Sequence, residues 1–192
     1  MEPRLEEARA GKRAVYFVDA SHFVLAPFLG FLWSVARVFL RAPCGRQRFN
    51  VLGALQAVTH RLLTVTNDTY ITAESVCLLL EKVAAAGGAL PVTAVLDNAS
   101  YQRCARVAAC AARLGVELLF LPPYSPNLNL IERLWGFVKD DCLYNRYYER
   151  FPAFKGAIEA CLAETQGRHK AALDTLLTLK FQSFETSVSG LG

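Results

Sequence analysis

Three acids in this chain, Asp19, Asp97 and Glu132, stand where carboxylates can act together. Asp19 ends the short apolar run AVYFVDA (14–20), and Asp97 closes the run in PVTAVLDNAS (91–100). Glu132 follows a stiff approach, LPPYSPNLN, whose Pro122, Pro123 and Pro126 suit neither a helix interior nor a central strand. Three oxygen donors without a companion His or Cys favour a hard cation, Mg²⁺ or Mn²⁺, over zinc. Such a set can hold two ions, one activating an attacking oxygen and one stabilising a leaving oxygen. Packed together without metal, the same three anions repel, so stability alone gives little reason to assemble them. Each acid also has an ordinary reading. Asp19 can end a strand in a turn, and Asp97-Asn98 can form an Asx turn. Asn129-x-x-Glu132 fits a capping box.

The elements around these acids read as a mixed α/β sheet covered by helices. Residues 14–20 and 91–96 are strands of the buried type, each ending at an acid. RFNVLGALQAVTH (48–60) and RLLTVTNDTYI (61–71) read as neighbouring strands, and VELLFLPP (116–123) as a strand broken by proline. Residues 72–86 read as a helix capped by Thr72 and stopped by Gly87-Gly88. In 102–114, Cys104, Val107, Ala111 and Leu114 make an apolar stripe that Gly115 ends. A helix from Asn129 to about Leu143 carries Glu132, and Phe154 to Leu162 marks a last amphipathic helix. In open α/β sheets, sites form at the carboxyl ends of strands, where Asp19 and Asp97 fall. The prolines would then fix the chain's entry so that the first turn of the 129–143 helix faces those strand ends.

Bulk properties narrow the class. The 192 residues suffice for one domain, with 53% hydrophobic and 20% charged residues. We divide the chain into an N-terminal tail (1–12), one domain (13–184) and a C-terminal tail (185–192). The apolar stretch 22–40 contains Pro27, Gly30, Ser34 and Arg37, which argues against a membrane span. The charged N-terminus has no apolar leader, so a cytoplasmic location is expected. Six scattered cysteines without CxxC spacing read as reduced thiols rather than bridges or zinc ligands.

Net charge is +4, but no Asp or Glu occurs from Ala20 to Asn67, a span holding Arg37, Arg41, Arg46, Arg48 and Arg61. This one-signed segment suits a polyanion such as DNA, with Arg46 and Arg48 as candidate contacts, or else forms a solvated basic hairpin. Lys139, two helical turns after Glu132, either meets a phosphate or is solvated. Trp135 reads as a core anchor. His22, three residues past Asp19 on a strand, falls on the opposite face.

FVDAS (17–21), VLDNAS (95–100) and LPPYSPNLNLIERLW (121–135) resemble the three catalytic blocks of DDE transposases, and in particular the bacterial insertion-sequence branch of the mariner superfamily. The 34 residues between Asp97 and Glu132 match that branch's spacing, and FNVLGAL (49–55) resembles its second-strand block. The resemblance runs from about Arg13 to Phe154. It implies an RNase H-like fold and Mg²⁺-dependent cleavage at transposon ends, followed by attack of the freed 3′-hydroxyl on target DNA. It implies Asp19, Asp97 and Glu132 as metal ligands for two ions, and double-stranded DNA and a homodimeric second copy as partners. Three departures stand out. Ala20 replaces a second Glu that many relatives carry, Tyr101-Gln102 stand where many have a His, and about a dozen residues precede the first strand. Recognition of element ends is therefore expected from a separate or missing helix-turn-helix module. The corresponding location is the bacterial cytoplasm, at the nucleoid when DNA is bound. A non-transposase nuclease of the same fold and an inactive DNA-binding remnant are the alternative readings.

Overall fold

Five strands form one mixed sheet in the computed structural model, which describes residues 1–25, 47–123 and 126–179. Helix α1 (Glu2–Arg9) leads into β1 (Ala14–Val24), β2 (Arg48–Gln56) and β3 (Leu62–Asn67). Then come α2 (Ala73–Gly87), β4 (Val92–Leu96), α3 (Ala105–Leu114) and β5 (Val116–Phe120). The last elements are α4 (Leu130–Cys142), α5 (Phe151–Ala163) and α6 (Lys170–Leu176). The strand order is β3-β2-β1-β4-β5. β1, β2 and β3 are antiparallel neighbours, whereas β4 joins β1 and β5 in parallel.

Period-two alternation sends successive residues to opposite faces, and each face has its own core. Val15, Phe17, Phe49, Val51, Leu55 and Val95 pack with residues of α1, α4, α5 and α6. Tyr16, Val18, Leu52, Ala54, Ala94 and Leu96 pack with α2 and α3. The helix boundaries follow local chemistry. Thr72 caps α2 through the Ser75 N–H, and the Ser75 hydroxyl accepts from the Thr72 N–H in return. Gly115 ends α3 in the left-handed conformation, φ 68°. β1 runs four residues past the expected end because Ser21 to Val24 pair with Val51 to Arg48 of β2.

The expected N-terminal tail is instead helix α1. Leu5 is wholly buried and Ala8 nearly so, both against the α4 side of the sheet. Arg4 donates to Glu117 of β5 at 2.8 Å, and Glu117 also accepts from Arg13 and from the Thr93 hydroxyl. Two apolar residues in a charged stretch make too weak a periodic signal, yet they suffice once a sheet face and an acid on β5 are there to meet them. Arg37, Arg41, Arg46 and the expected tail at 185–192 lie outside the described residues. Among the described residues no helix is long and apolar enough to cross a membrane.

Helix α4 seats on the sheet at Gly53, in the middle of β2. A Cβ at that position would lie 2.8 Å from the Trp135 ring and 2.9 Å from Ile131 Cδ1, both on α4. These are closer than carbon atoms tolerate, so Gly53 is where the sheet surface is hollowed to admit the indole. Gly53→Ala should therefore cost about 1–3 kcal/mol by overpacking. Denaturant unfolding with an unchanged m value measures this, and a neutral substitution would mean that α4 does not rest there.

Candidate active site

The last rung of the β1–β4 pair joins Val18 to Leu96, so Asp19 and Asp97 are the next residues on adjacent parallel strands. Neighbouring strands run about 4.8 Å apart, which brings the two acids side by side. Phe17 and Val95, two residues earlier, both belong to the core under α4, so alternation turns both acids toward that helix. Glu132 approaches from above, in the first turn of α4.

Asp19 is only 8% exposed. Its Oδ2 accepts a 2.9 Å hydrogen bond from the Trp135 indole N–H. Burial, then the charges of Glu132 and Asp97, push its carboxyl up to about 7, against the pull of the Ala20 N–H and the indole. The three acids are thus close enough to feel one another. The groups that act most strongly on Asp19 include no cation.

Backbone and amide contacts hold the other two acids. Asp97 Oδ1 accepts the Ala99 N–H at 3.2 Å, the Asx turn expected of Asp97-Asn98. Asn98 donates to the Leu121 carbonyl at 2.6 Å, and the Leu121 N–H donates to the Leu96 carbonyl at 2.8 Å. These two bonds tie the start of the proline segment to the end of β4. A 3-10 turn, Pro126–Leu128, then delivers the chain to α4. The capping box does not form. Asn129, 3% exposed, turns into the sheet and donates to the Val18 carbonyl at 3.3 Å instead of capping α4. Glu132 is exposed, and its side chain is not engaged in capping.

The remaining candidates fall elsewhere. Lys139 is exposed seven residues after Glu132, about 10 Å along the helix axis, and does not join the acids. Arg48 opens β2 five residues before Gly53, the partner of Asp19, and so lies about 17 Å along the strand from the site. Its guanidinium sits 5.5 Å over the Tyr70 ring. Arg46 lies outside the described residues. His22 is exposed and bonds Asn50 Oδ1 through Nδ1 at 2.7 Å, on the face away from the acids.

Three residues near the acids escape a reading of the sequence alone. Trp135 is the buried anchor expected of it, and it also holds Asp19. Its place three residues after Glu132 puts both on one side of α4, which is the available signal. Asn129 is a strut between α4 and β1 rather than a cap. Tyr101 is half-buried beside the acids, and burial followed by the Asp97 and Asp19 charges pushes its phenol up to about 12. It therefore keeps its proton near neutral pH and can donate a hydrogen bond at the site.

The raised Asp19 carboxyl makes a signed prediction. The unfolded chain ionises Asp19 near 3.8 and the folded chain near 7, so metal-free stability falls as pH rises between these values and the penalty is complete above 7. A shift of that size is worth on the order of 4 kcal/mol. Asp19→Asn should raise the melting midpoint in chelator at pH 8 and leave it nearly unchanged at pH 4. Equal changes at both pH values would remove Asp19 from the electrostatic centre.

Comparison with known proteins fits this geometry. A curated relative, uncharacterized protein y4pE/y4sA of Sinorhizobium fredii (strain NBRC 101917 / NGR234), is 44% identical over 37 residues. That match takes in 19% of this chain and 27% of the relative, so the chain spans well under half of that protein. The Mos1 mariner paired end complex with Mn superposes with a TM-score of 0.60 at 13% identity, over 96% of this chain and 61% of that one. The HTLV-2 integrase catalytic core domain in complex with magnesium, in its trimeric form, gives 0.51 at 12% identity, over 78% and 82%. These likenesses establish the RNase H-like fold. Residues 14–155, from the start of β1 into α5 and so across all three acids, match the family described as DDE superfamily endonuclease, and the chain belongs to that family.

Proposed function

We propose that this chain is the catalytic domain of a transposase of the bacterial insertion-sequence branch of the mariner superfamily. Its substrate is duplex DNA, at the ends of a mobile element and then at a target. The reaction is hydrolysis of a phosphodiester followed by transesterification with the freed 3′-hydroxyl. The observation that best supports this is the pairing of Asp19 and Asp97 on adjacent strand ends under Glu132, with the charges of Glu132 and Asp97 both reaching Asp19.

An all-oxygen donor set of three carboxylates fits Mg²⁺ or Mn²⁺. Two such ions, when bound, supply activation of the attacking oxygen and stabilisation of the leaving one. The chain's own residues do the positioning. The Trp135 N–H fixes the orientation of Asp19, and the Ala99 N–H fixes Asp97. Glu132, free of its capping role, presents its carboxylate from a rigid helix turn. Tyr101 offers a protonated hydroxyl to a phosphate oxygen. Choice of element ends falls to a helix-turn-helix module, and two copies of the chain act together, one on each end, in the bacterial cytoplasm.

Asp97→Asn preserves size and the Asx turn while removing a charge. It should fold as well as wild type, gain much less thermal stability from Mg²⁺, and lose cleavage by more than the roughly 10–100-fold that an outer-shell partner costs. Duplex nicking assays and melting curves with and without Mg²⁺ measure this. Cleavage without strand transfer would leave a nuclease of the same fold, and DNA binding without cleavage would leave a remnant.

Duplex binding by this domain should be weakly sequence-selective and steeply salt-dependent. Replacing both Arg46 and Arg48 with Ala should lower affinity and reduce the salt slope by about one to two. An unchanged slope in fluorescence anisotropy would make that segment ordinary solvated surface.

A further inference from the structure

At the far end of α4 lies a second cluster, built from three segments. Asp141 stands near the end of α4, Cys161 near the end of α5, and His169 just before α6. One ligand atom from each lies within 4.8 Å of the others. His169 Nε2 and Asp141 Oδ2 are 3.6 Å apart. Two ligands about 2.1 Å from a tetrahedral zinc stand about 3.4 Å apart, so this pair already has that separation.

We propose that Asp141, Cys161 and His169 form a zinc site that braces α4, α5 and α6, with water completing the tetrahedron. The donor types select the metal, because thiolate with imidazole suits zinc, whereas the all-oxygen acids at the other end of α4 suit a hard cation. Asp141 follows Glu132 by nine residues, about 13 Å along the helix, so the two sites are separate.

Three features of the surroundings support the assignment. His169 is 7% exposed and held edge-on by the Phe137 ring, centroids 5.1 Å apart. Arg168, which can only donate, bonds His169 Nε2 at 3.1 Å, so that nitrogen is unprotonated and has a lone pair to offer. Arg168 is exposed and can turn into solvent when a metal takes its place. Cys161 is 2% exposed, so its thiol meets the other two donors inside the fold. A divalent cation accepts thiolate and carboxylate together. Cys142 donates its own S–H to the Val138 carbonyl at 3.0 Å and stays outside the ligand set. No spacing in the sequence announces this site, which departs from the expectation that the cysteines are plain thiols.

The test uses the whole chain under reducing conditions, with Asp97→Asn as background so that the catalytic acids contribute little. Cobalt(II) added to the chelator-stripped protein should give an intense thiolate-to-cobalt charge-transfer absorbance. Cys161→Ser should abolish it, His169→Ala should weaken it, and Cys142→Ser should keep it. Zinc at a hundredfold over its dissociation constant should raise the melting midpoint by about 5–10 °C. Cobalt absorbance without a thiolate band in the unmutated cluster would overturn the proposal, whatever the variants do. So would a zinc-induced shift that survives Cys161→Ser. The transposase reading stands or falls separately, because neither measurement depends on cleavage.

Discussion

The indole of Trp135 resting in the hollow of Gly53 governs the geometry of this domain. That contact sets the height of α4 above the sheet, and the indole N–H simultaneously grips the carboxylate of Asp19. Because Glu132 is one turn earlier on the same helix, its distance from Asp19 follows from where the ring lands. One apolar fit thus fixes one polar bond and the spacing of two acids. Its failure would move all three, since packed interiors shift between discrete arrangements rather than bending smoothly.

Around that contact, the sheet divides its labour between faces. The face under α2 and α3 is filled mostly with aliphatic residues, Tyr16 being the aromatic one that is fully buried, and carries none of the three acids. The face under α4 buries Phe17 and Val95 and then, two residues on, turns to carboxylates at the strand ends. The change from apolar to acidic happens where β1 and β4 stop pairing, so burial of the core and exposure of the site share one boundary. Asn98, Leu121 and Asn129 spend their hydrogen bonds stitching that boundary together.

Much of this was legible in the chain, because alternating apolar runs and helix stops are local signals. The five strands, the caps at Thr72 and Gly115, and the acids at strand ends followed from periodicity and turn chemistry. What escaped depended on partners far away in sequence. Helix α1 is fixed by Glu117 on β5, more than a hundred residues later. Asn129 looks like a cap until the Val18 carbonyl is placed beside it, and Gly53 looks like an ordinary strand glycine until an indole sits above it. The cluster of Asp141, Cys161 and His169 draws on three segments, none of which has ligand spacing of its own.

The central parallel pair has a consequence for the birth of the protein. β1 and β4 are neighbours in space, but the whole of β2, β3 and α2 is synthesised between them. Contacts that close such long loops form late and slowly. On the ribosome, Asp19 emerges early, while the strand beside it and the helix above it are still unmade. An assembled centre therefore cannot exist until α4 has left the exit tunnel, and an interrupted polypeptide carries the first acid without the means to use it.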